Sequence, residues 1–338
     1  SPLLFIFSSA ALYLLDEDEK EWREDMLRYV LKRTLMVIPI LLAVVLIVFT
    51  IMELTPGTPG RVLLGELAAQ EEVDQLDHKL GTDQPFFYRY FQYIKDIVLR
   101  FDFGVSYRTQ KPVVKEILSR FPYTLKITFL AVLGSSVIGI PIGVLMAAKR
   151  NMLIDRTVNI LAMFFTAVPG FVLALGLIYV FAVRLEWVPS YGAKSWKHYV
   201  LPMMTLLIPS VVSRMRLART TMMEAICQEY ITMARSKGIP ESRVIFVHAL
   251  KNSLIPLITS ILTSFSGMLG GAIILENVFG FPGLGSYIVT GINMKDTPTV
   301  LASTIFLAGI FCLTSLVLDI IYAIVDPRIK ENYLKTRK

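Results

Sequence analysis

Residues 229–259 read EYITMARSKGIPESRVIFVHALKNSLIPLIT, a polar, basic stretch of helical pattern lying between two long apolar segments. A segment of that length and charge, enclosed by membrane-like sequence, needs a partner on its own side of a bilayer. Outward from it the chain is apolar. Of its 338 residues 54% are hydrophobic and the mean hydropathy is +0.58, above the ~45–50% apolar content of soluble domains. A bilayer core of about 30 Å needs about 20 apolar residues per helix. Six segments qualify: 34–52, 127–148, 157–183, 199–213, 252–275 and 297–318. The fourth is short, carries Pro202 and Pro209, and borrows a turn at either end.

The net charge of +7 would suggest nucleic acid in a soluble chain. Here it reflects Lys and Arg gathered beside the spans. Arg28, Lys32 and Arg33 precede the first span, and Lys149, Arg150 and Arg156 fill the turn between the second and third. Arg214, Arg216, Arg219, Arg235, Lys237, Arg243 and Lys251 load the loop after the fourth, and Arg328, Lys330, Lys335, Arg337 and Lys338 end the chain. With six spans all four groups fall on one side, which predicts cytoplasmic N- and C-termini. The opposite side then carries one large loop, 53–122, whose charges nearly balance. Phe87, Tyr90, Phe91, Ile94, Ile97 and Val98 predict a helix within it, packed on the membrane surface or serving as a docking or lid surface. Residues 1–25 read as an N-terminal extension or a poorly ordered arm before a natural start at Met26.

Enzyme signatures are absent: the chain has no GxxxxGK[ST] phosphate loop, no HExxH and no GxSxG. Cys227 and Cys312 form no disulfide framework or metal spacing. His78, His198 and His248 are far apart, and His248 reads as an interfacial or capping histidine. Any energy that drives transport comes from elsewhere.

Within the polar loop, Ile226, Tyr230 and Met233 fall at helical spacing on one face. Gln228, Glu229, Thr232, Arg235 and Ser236 lie around the others. Gly238 ends a helix cheaply because it accepts a left-handed conformation. Pro240 and Glu241 suit the start of the next. Two helices therefore meet at a sharp turn around Gly238. The apolar ridge with its charged rim suits a groove in a soluble protein or a lipid surface.

The loop resembles the coupling loop of ABC-importer permeases, in particular the oligopeptide, dipeptide and nickel branch. That branch carries E-Y-x3-A-R-x-K-G and then H-A-L-[RK]-N-x2-I-P. Here these are Glu229, Tyr230, Ala234, Arg235, Lys237 and Gly238, then His248, Ala249, Leu250, Lys251, Asn252, Ile255 and Pro256. In the wider importer pattern, E-A-A-x3-G-x9-I-x-L-P, Thr232 stands at the Glu position, so no salt bridge of that Glu carries over. The likeness extends through LTPGTPG (54–60), with Thr58 for the usual Asp, through LGTDQPFFYRYFQYI (80–94) and DFGVSYRTQKPV (102–113), and through ENVFGFPGLG (276–285) and DIIYAIVDPRIK (319–330).

The resemblance implies an all-α type I importer permease of six transmembrane helices with a large extracytoplasmic loop after the first. The chain divides into 1–25, the first helix within 26–52, the outer loop 53–122, a core 123–325 containing the coupling loop 220–255, and a tail 326–338. It implies no catalytic site and no cofactor in this chain. ATP and Mg belong to two partner ATPase subunits. A homologous second permease completes the pathway, an extracytoplasmic binding protein delivers the solute, and the whole sits in a prokaryotic inner membrane. Oligopeptides or dipeptides are the leading solutes. Nickel or another small solute is the alternative within the family, and a stand-alone channel or secondary transporter the alternative outside it. Ile226, Glu229, Tyr230, Met233, Ala234, Arg235, Lys237 and Gly238 are the expected ATPase-coupling residues, and His248, Asn252 and Pro256 the exit of that loop.

Elsewhere, close helix packing explains the GxxxG pairs Gly139/Gly143 and Gly267/Gly271. Pro169-Gly170 marks a kink. Glu276 reaches water at a span boundary or caps the PGLG turn, and Asp319 pairs with a loop arginine. Trp187 and Trp196 fit a membrane interface.

Overall fold

The computed structural model describes residues 30–148, 160, 165 and 167–325, with side chains as far as Leu318. Those residues are helical apart from turns and one isolated bridge between Val105 and Pro112. The helices are α1 (Val30–Leu54), α2 (Pro59–Leu64), α3 (Gln70–Leu80), α4 (Phe86–Arg100) and α5 (Val113–Ala148). They continue with α6 (Gly170–Arg184), α7 (Lys197–Ile226), α8 (Glu229–Ser236), α9 (Glu241–Val278), α10 (Leu284–Asn293) and α11 (Thr297–Val325). The chain forms two compact units, Val44–Ala308 and a smaller one made of its two ends, Ser1–Ala43 and Gly309–Lys338. In the smaller unit Leu31, Leu35, Ile38, Phe311 and Leu313 are exposed apolar side chains, as a lipid-facing surface requires.

Among the described residues, five helices (α1, α5, α7, α9 and α11) are long and apolar enough to cross a membrane. The third expected span, 157–183, corresponds to α6, which is shorter. It starts after Pro169, whose extended backbone (ψ 141°) interrupts the helix. Most of residues 157–166 lie outside the described residues, as do residues 1–25, 326–338 and the Asp319 side chain.

Three helices run well beyond their apolar cores. α5 begins at Val113, so the expected boundary between outer loop and core falls inside a helix. Its first turns bury Val113 and Ile117 against Leu284, Tyr287, Ile288 and Ala302. Protein contacts cover this end, and Lys115, Glu116 and Arg120 keep it out of a hydropathy window. α7 continues through Arg214, Arg216 and Arg219 to Ile226, so these arginines stand in a helix and not in the loop where the charge pattern places them. α9 starts at Glu241 through a wide π-helical turn, Val244–Ala249.

α5 and α7 form the tightest pair. A Cβ on Gly139 would lie 2.7 Å from the Val211 carbonyl, and one on Gly143 would lie 2.3 Å from that of Met215. Close packing thus explains this GxxxG pair. Among the described residues Gly267, Gly270 and Gly271 on α9 meet nothing within 4 Å, so no described helix packs closely on that pair.

The loop 53–112 is folded onto the bundle. Phe86, Tyr90, Tyr93 and Ile94 of α4 pack on Val45, Phe49 and Leu301, while Phe87, Phe91 and Val98 face outward. The aromatic set that predicts this helix is therefore divided between two faces. The turn between α10 and α11 fastens the loop. The buried Asp296 carboxylate accepts from Ser106 Oγ and from the Tyr107 N–H at 3.1 Å. Lys295 Nζ donates to the carbonyls of Met52 (3.2 Å) and Thr55 at the end of α1, where a cation suits the helix dipole. Burial lowers the Lys295 pKa and raises that of Tyr107 to about 12.

Candidate functional site

α7 ends at Ile226, and the chain turns through Cys227 and an extended Gln228 (ψ 153°) before α8 begins at Glu229. The turn contains no Gly or Pro, so helical periodicity reads straight through it. The structure corrects one consequence. Ile226 closes α7 and packs, partly buried, on the core, and it does not share a helix with Tyr230 and Met233.

α8 has one buried face and one bare face. Ile231 and Ala234 enter a cluster with Val144 and Ala147 of α5, Met222 and Ala225 of α7, and Val244, Ile245 and Ala249 of α9. The ends of three long helices are thereby tied to one short one. On the other side Tyr230 is 38% and Met233 61% exposed, and Glu229, Arg235 and Lys237 are also exposed.

Gly238 adopts φ +72°, and the backbone closes α8 as a Schellman motif. The Ile239 N–H donates to the Ala234 carbonyl (3.3 Å), and the Gly238 N–H to that of Arg235 (2.9 Å). Ile239 packs on the same core cluster, the apolar contact that accompanies this cap. Pro240 is extended (ψ 137°) and precedes the next helix at Glu241. The sharp turn expected at Gly238 is present, and a fork bridges it: Arg235 Nη2 and Nε donate to the two Glu241 carboxylate oxygens at 2.7 and 3.1 Å. The hydrogen bond to Glu241 raises the Arg235 pKa. The pair is half exposed and contributes at most about 1 kcal/mol. Its geometric effect is to fix the angle between α8 and α9.

Beside this turn is a cleft of about 280 Å³, lined by Thr221 and Glu224 of α7, Gln228 and Tyr230 at the start of α8, and Asn252 and Pro256 of α9. It brings Tyr230 together with two of the three expected exit residues. His248 does not line it; it lies half-buried in the π-helical turn.

At the opposite end of α9, Glu276 is 1% exposed. It accepts from Thr124 Oγ1 and, at 3.0 Å, from the Ser286 N–H. It therefore caps the PGLG turn and does not reach water. A Cβ on Gly283 would fall 2.2 Å from its carboxyl carbon, which is why the turn needs glycine there. Sequence reasoning missed four buried charges, Asp77, Arg214, Lys295 and Asp296. The partners of Arg214 and Lys295 lie 79 to 243 residues away, where no local motif reaches; Asp296 does carry a local signal, since it stands just before α11 and accepts the Thr299 N–H at 3.4 Å as a helix N-cap.

A bundle of membrane-crossing helices whose ends are tied to a short helix with one bare face is the architecture of a type I ABC-importer permease. Residues 139–331 match the family described as the binding-protein-dependent transport system inner membrane component, and residues 26–128 match the N-terminal region of such membrane components. The glutathione transport system permease protein GsiC of Escherichia coli (strain K12) is 36% identical over 305 residues, which is 90% of this chain and 99% of that protein. The same-named protein of Salmonella choleraesuis (strain SC-B67) is 38% identical over 307 residues, with the same coverage. A chain of the MetNI methionine ABC transporter, solved in inward-facing conformations, superposes with a TM-score of 0.54 at 21% identity, covering 64% of this chain and 98% of that one. The chain belongs to the binding-protein-dependent transport system inner-membrane permease family, and it is a multi-pass inner-membrane component of an ABC importer.

Proposed function

We propose that this permease imports peptide-type solutes and is driven through α8. The observation that carries the coupling role is the division of α8 into a pinned face and a bare one. Ile231 and Ala234 hold it to α5, α7 and α9, while Tyr230 and Met233 are left uncovered. A helix so placed transmits displacement: whatever grips the bare face moves three helix ends together. The gripping partner is an ATPase subunit. Two of these hold ATP and Mg and perform the hydrolysis, for which this chain has no phosphate loop. A homologous second permease completes the pathway, and a binding protein delivers the solute from the side of the loop 53–112. The termini and α8 are then cytoplasmic. Glu229, Arg235 and Lys237 form the polar rim, Ile226 and Ala234 support from behind, and Asn252 and Pro256 form the cleft wall that follows α8. The peptide class is supported by relatives named for glutathione, a tripeptide.

Gly238→Pro tests the mechanism. Proline fixes φ near −65°, whereas position 238 needs +72°, so the α8–α9 angle is lost while the bundle, which has nothing within 4 Å of a Cβ there, stays packed. The expected result in the reconstituted importer is ATP hydrolysis without uptake. Uptake equal to wild type contradicts the coupling role.

A further inference from the structure

The loop 53–112 carries an apolar surface that the rest of the described chain leaves open. In α4 Phe86, Tyr90, Tyr93 and Ile94 share the face that packs on Val45, Phe49 and Leu301. At about 3.6 residues per turn, Phe87, Phe91 and Val98 form a stripe directly beside that face, and they are 68%, 64% and 64% exposed. Gln92, Lys95 and Asp96 stand farther round the helix. The apolar arc of α4 is thus wider than the protein surface it covers, and its uncovered edge needs an occupant.

The depth of α4 identifies that occupant. The Phe49 ring of α1 lies 5.1 Å from that of Phe86 and 5.9 Å from that of Tyr90. The Arg89 guanidinium stands over the same ring and pairs with Glu53. Phe49 belongs to the apolar run 34–52 of α1, and Glu53 ends that run. The first turns of α4 therefore reach about one helical turn, ~6 Å, inside the polar limit of a membrane-crossing helix. Phe87 and Phe91 share that level, each edge-on to an inward neighbour: Phe87 to Phe86 at 5.2 Å and Phe91 to Tyr90 at 5.4 Å. At the same level α1 leaves Ile47 and Ile51 exposed, as a helix in lipid does.

We propose that α4 is an interfacial anchor, whose stripe of Phe87, Phe91 and Val98 enters the edge of the bilayer among lipid acyl chains. Lys95, one turn after Phe91, stands at the boundary and carries its ammonium out to the headgroups. Helices that lie in an interface have this make-up, aromatic and aliphatic on the buried side and cationic beside it, and aromatic rings are favoured at headgroup level. A soluble binding protein does not reach the stripe, because the level of Phe49 is inside the bilayer. The loop 53–112 is then held at membrane level from two sides, by Lys295 and Asp296 in the bundle and by lipid at α4.

The test uses the complete importer in vesicles of phosphatidylethanolamine and phosphatidylglycerol, with Cys227 and Cys312 replaced by serine. A nitroxide is attached through Phe91→Cys or through Gln92→Cys. Its relaxation by oxygen, which gathers in the bilayer, is compared with its relaxation by a water-soluble paramagnetic metal complex. The expected ratio of oxygen to metal-complex relaxation is about tenfold higher at position 91 than at position 92, because apolar surroundings exclude a polar solute by at least that factor. Phe87→Cys takes the place of Phe91→Cys if the latter does not assemble. Equal ratios at positions 91 and 92 place the stripe in water and overturn the proposal. Exclusion of both reagents from position 91 places the stripe under protein, either the binding protein or the second permease, and overturns it as well. Neither result bears on the coupling role of α8.

Discussion

Glu276→Ala is expected to lower the stability of the solubilised protein by about 2–5 kcal/mol, since two buried donors lose their acceptor at about 1–3 kcal/mol each. The carboxylate is the hub of the turn between α9 and α10. Thr124 Oγ1 of α5 donates to one oxygen, and the Ser286 N–H donates to the other. Thr124 Oγ1 itself accepts the Leu284 N–H at 2.8 Å. Alanine leaves the Ser286 N–H and the Thr124 hydroxyl without an acceptor in a region closed to water, and it leaves a cavity between three helices. Glu276→Gln keeps one carbonyl oxygen, so it satisfies one of the two donors and falls between alanine and wild type. The measurement is the thermal aggregation midpoint of the purified permease in detergent. Alanine and wild-type midpoints that coincide contradict the role of Glu276 as the hub.

Tyr230→Asp is expected to reduce uptake by more than about thirtyfold without loss of stability. Interface aromatics of this kind contribute at least about 2 kcal/mol, and about 1.4 kcal/mol is tenfold in an equilibrium constant. Tyr230 is 38% exposed on the bare face of α8 and lines the cleft rather than the core cluster, so a carboxylate there can turn to water at little cost in packing. Ile231, one residue on, is fully buried. Ile231→Ala also impairs uptake, but through a stability loss of about 2–5 kcal/mol. Uptake assays paired with aggregation midpoints separate the two. A Tyr230→Asp importer that transports like wild type contradicts the assignment of the bare face to the ATPase.

The parts of this fold legible in the sequence are those whose causes are local. Apolar runs locate the membrane-crossing helices, and Gly238 followed by Pro240 locates the turn between α8 and α9, because only those residue types make that backbone cheaply. The helix ends were not legible. Hydropathy stops at the first cluster of charges, whereas α5 and α7 continue wherever protein covers them. Arg214 is the clearest case: beside Arg216 and Arg219 it looks like loop charge, yet α7 carries it into the bundle. Ile226 was misplaced for the converse reason, since nothing in Cys227-Gln228 announces a break. The fastening of the outer loop by Lys295 and Asp296 depends on partners at Met52, Thr55 and Ser106, and no spacing rule reaches that far.

The central claim, that the bare face of α8 is the surface an ATPase subunit covers, has a direct measurement. A single cysteine is placed at Met233, with Cys227, which is exposed, and Cys312 both replaced by serine, and its maleimide labelling rate is compared in the purified permease and in the complex with its ATPase subunits. The buried Cys at position 231 of a parallel Ile231→Cys variant gives the baseline for slow labelling. The expected result is rapid labelling at position 233 in the permease alone and labelling close to that baseline in the complex. Equal, rapid labelling at position 233 in both would contradict the account.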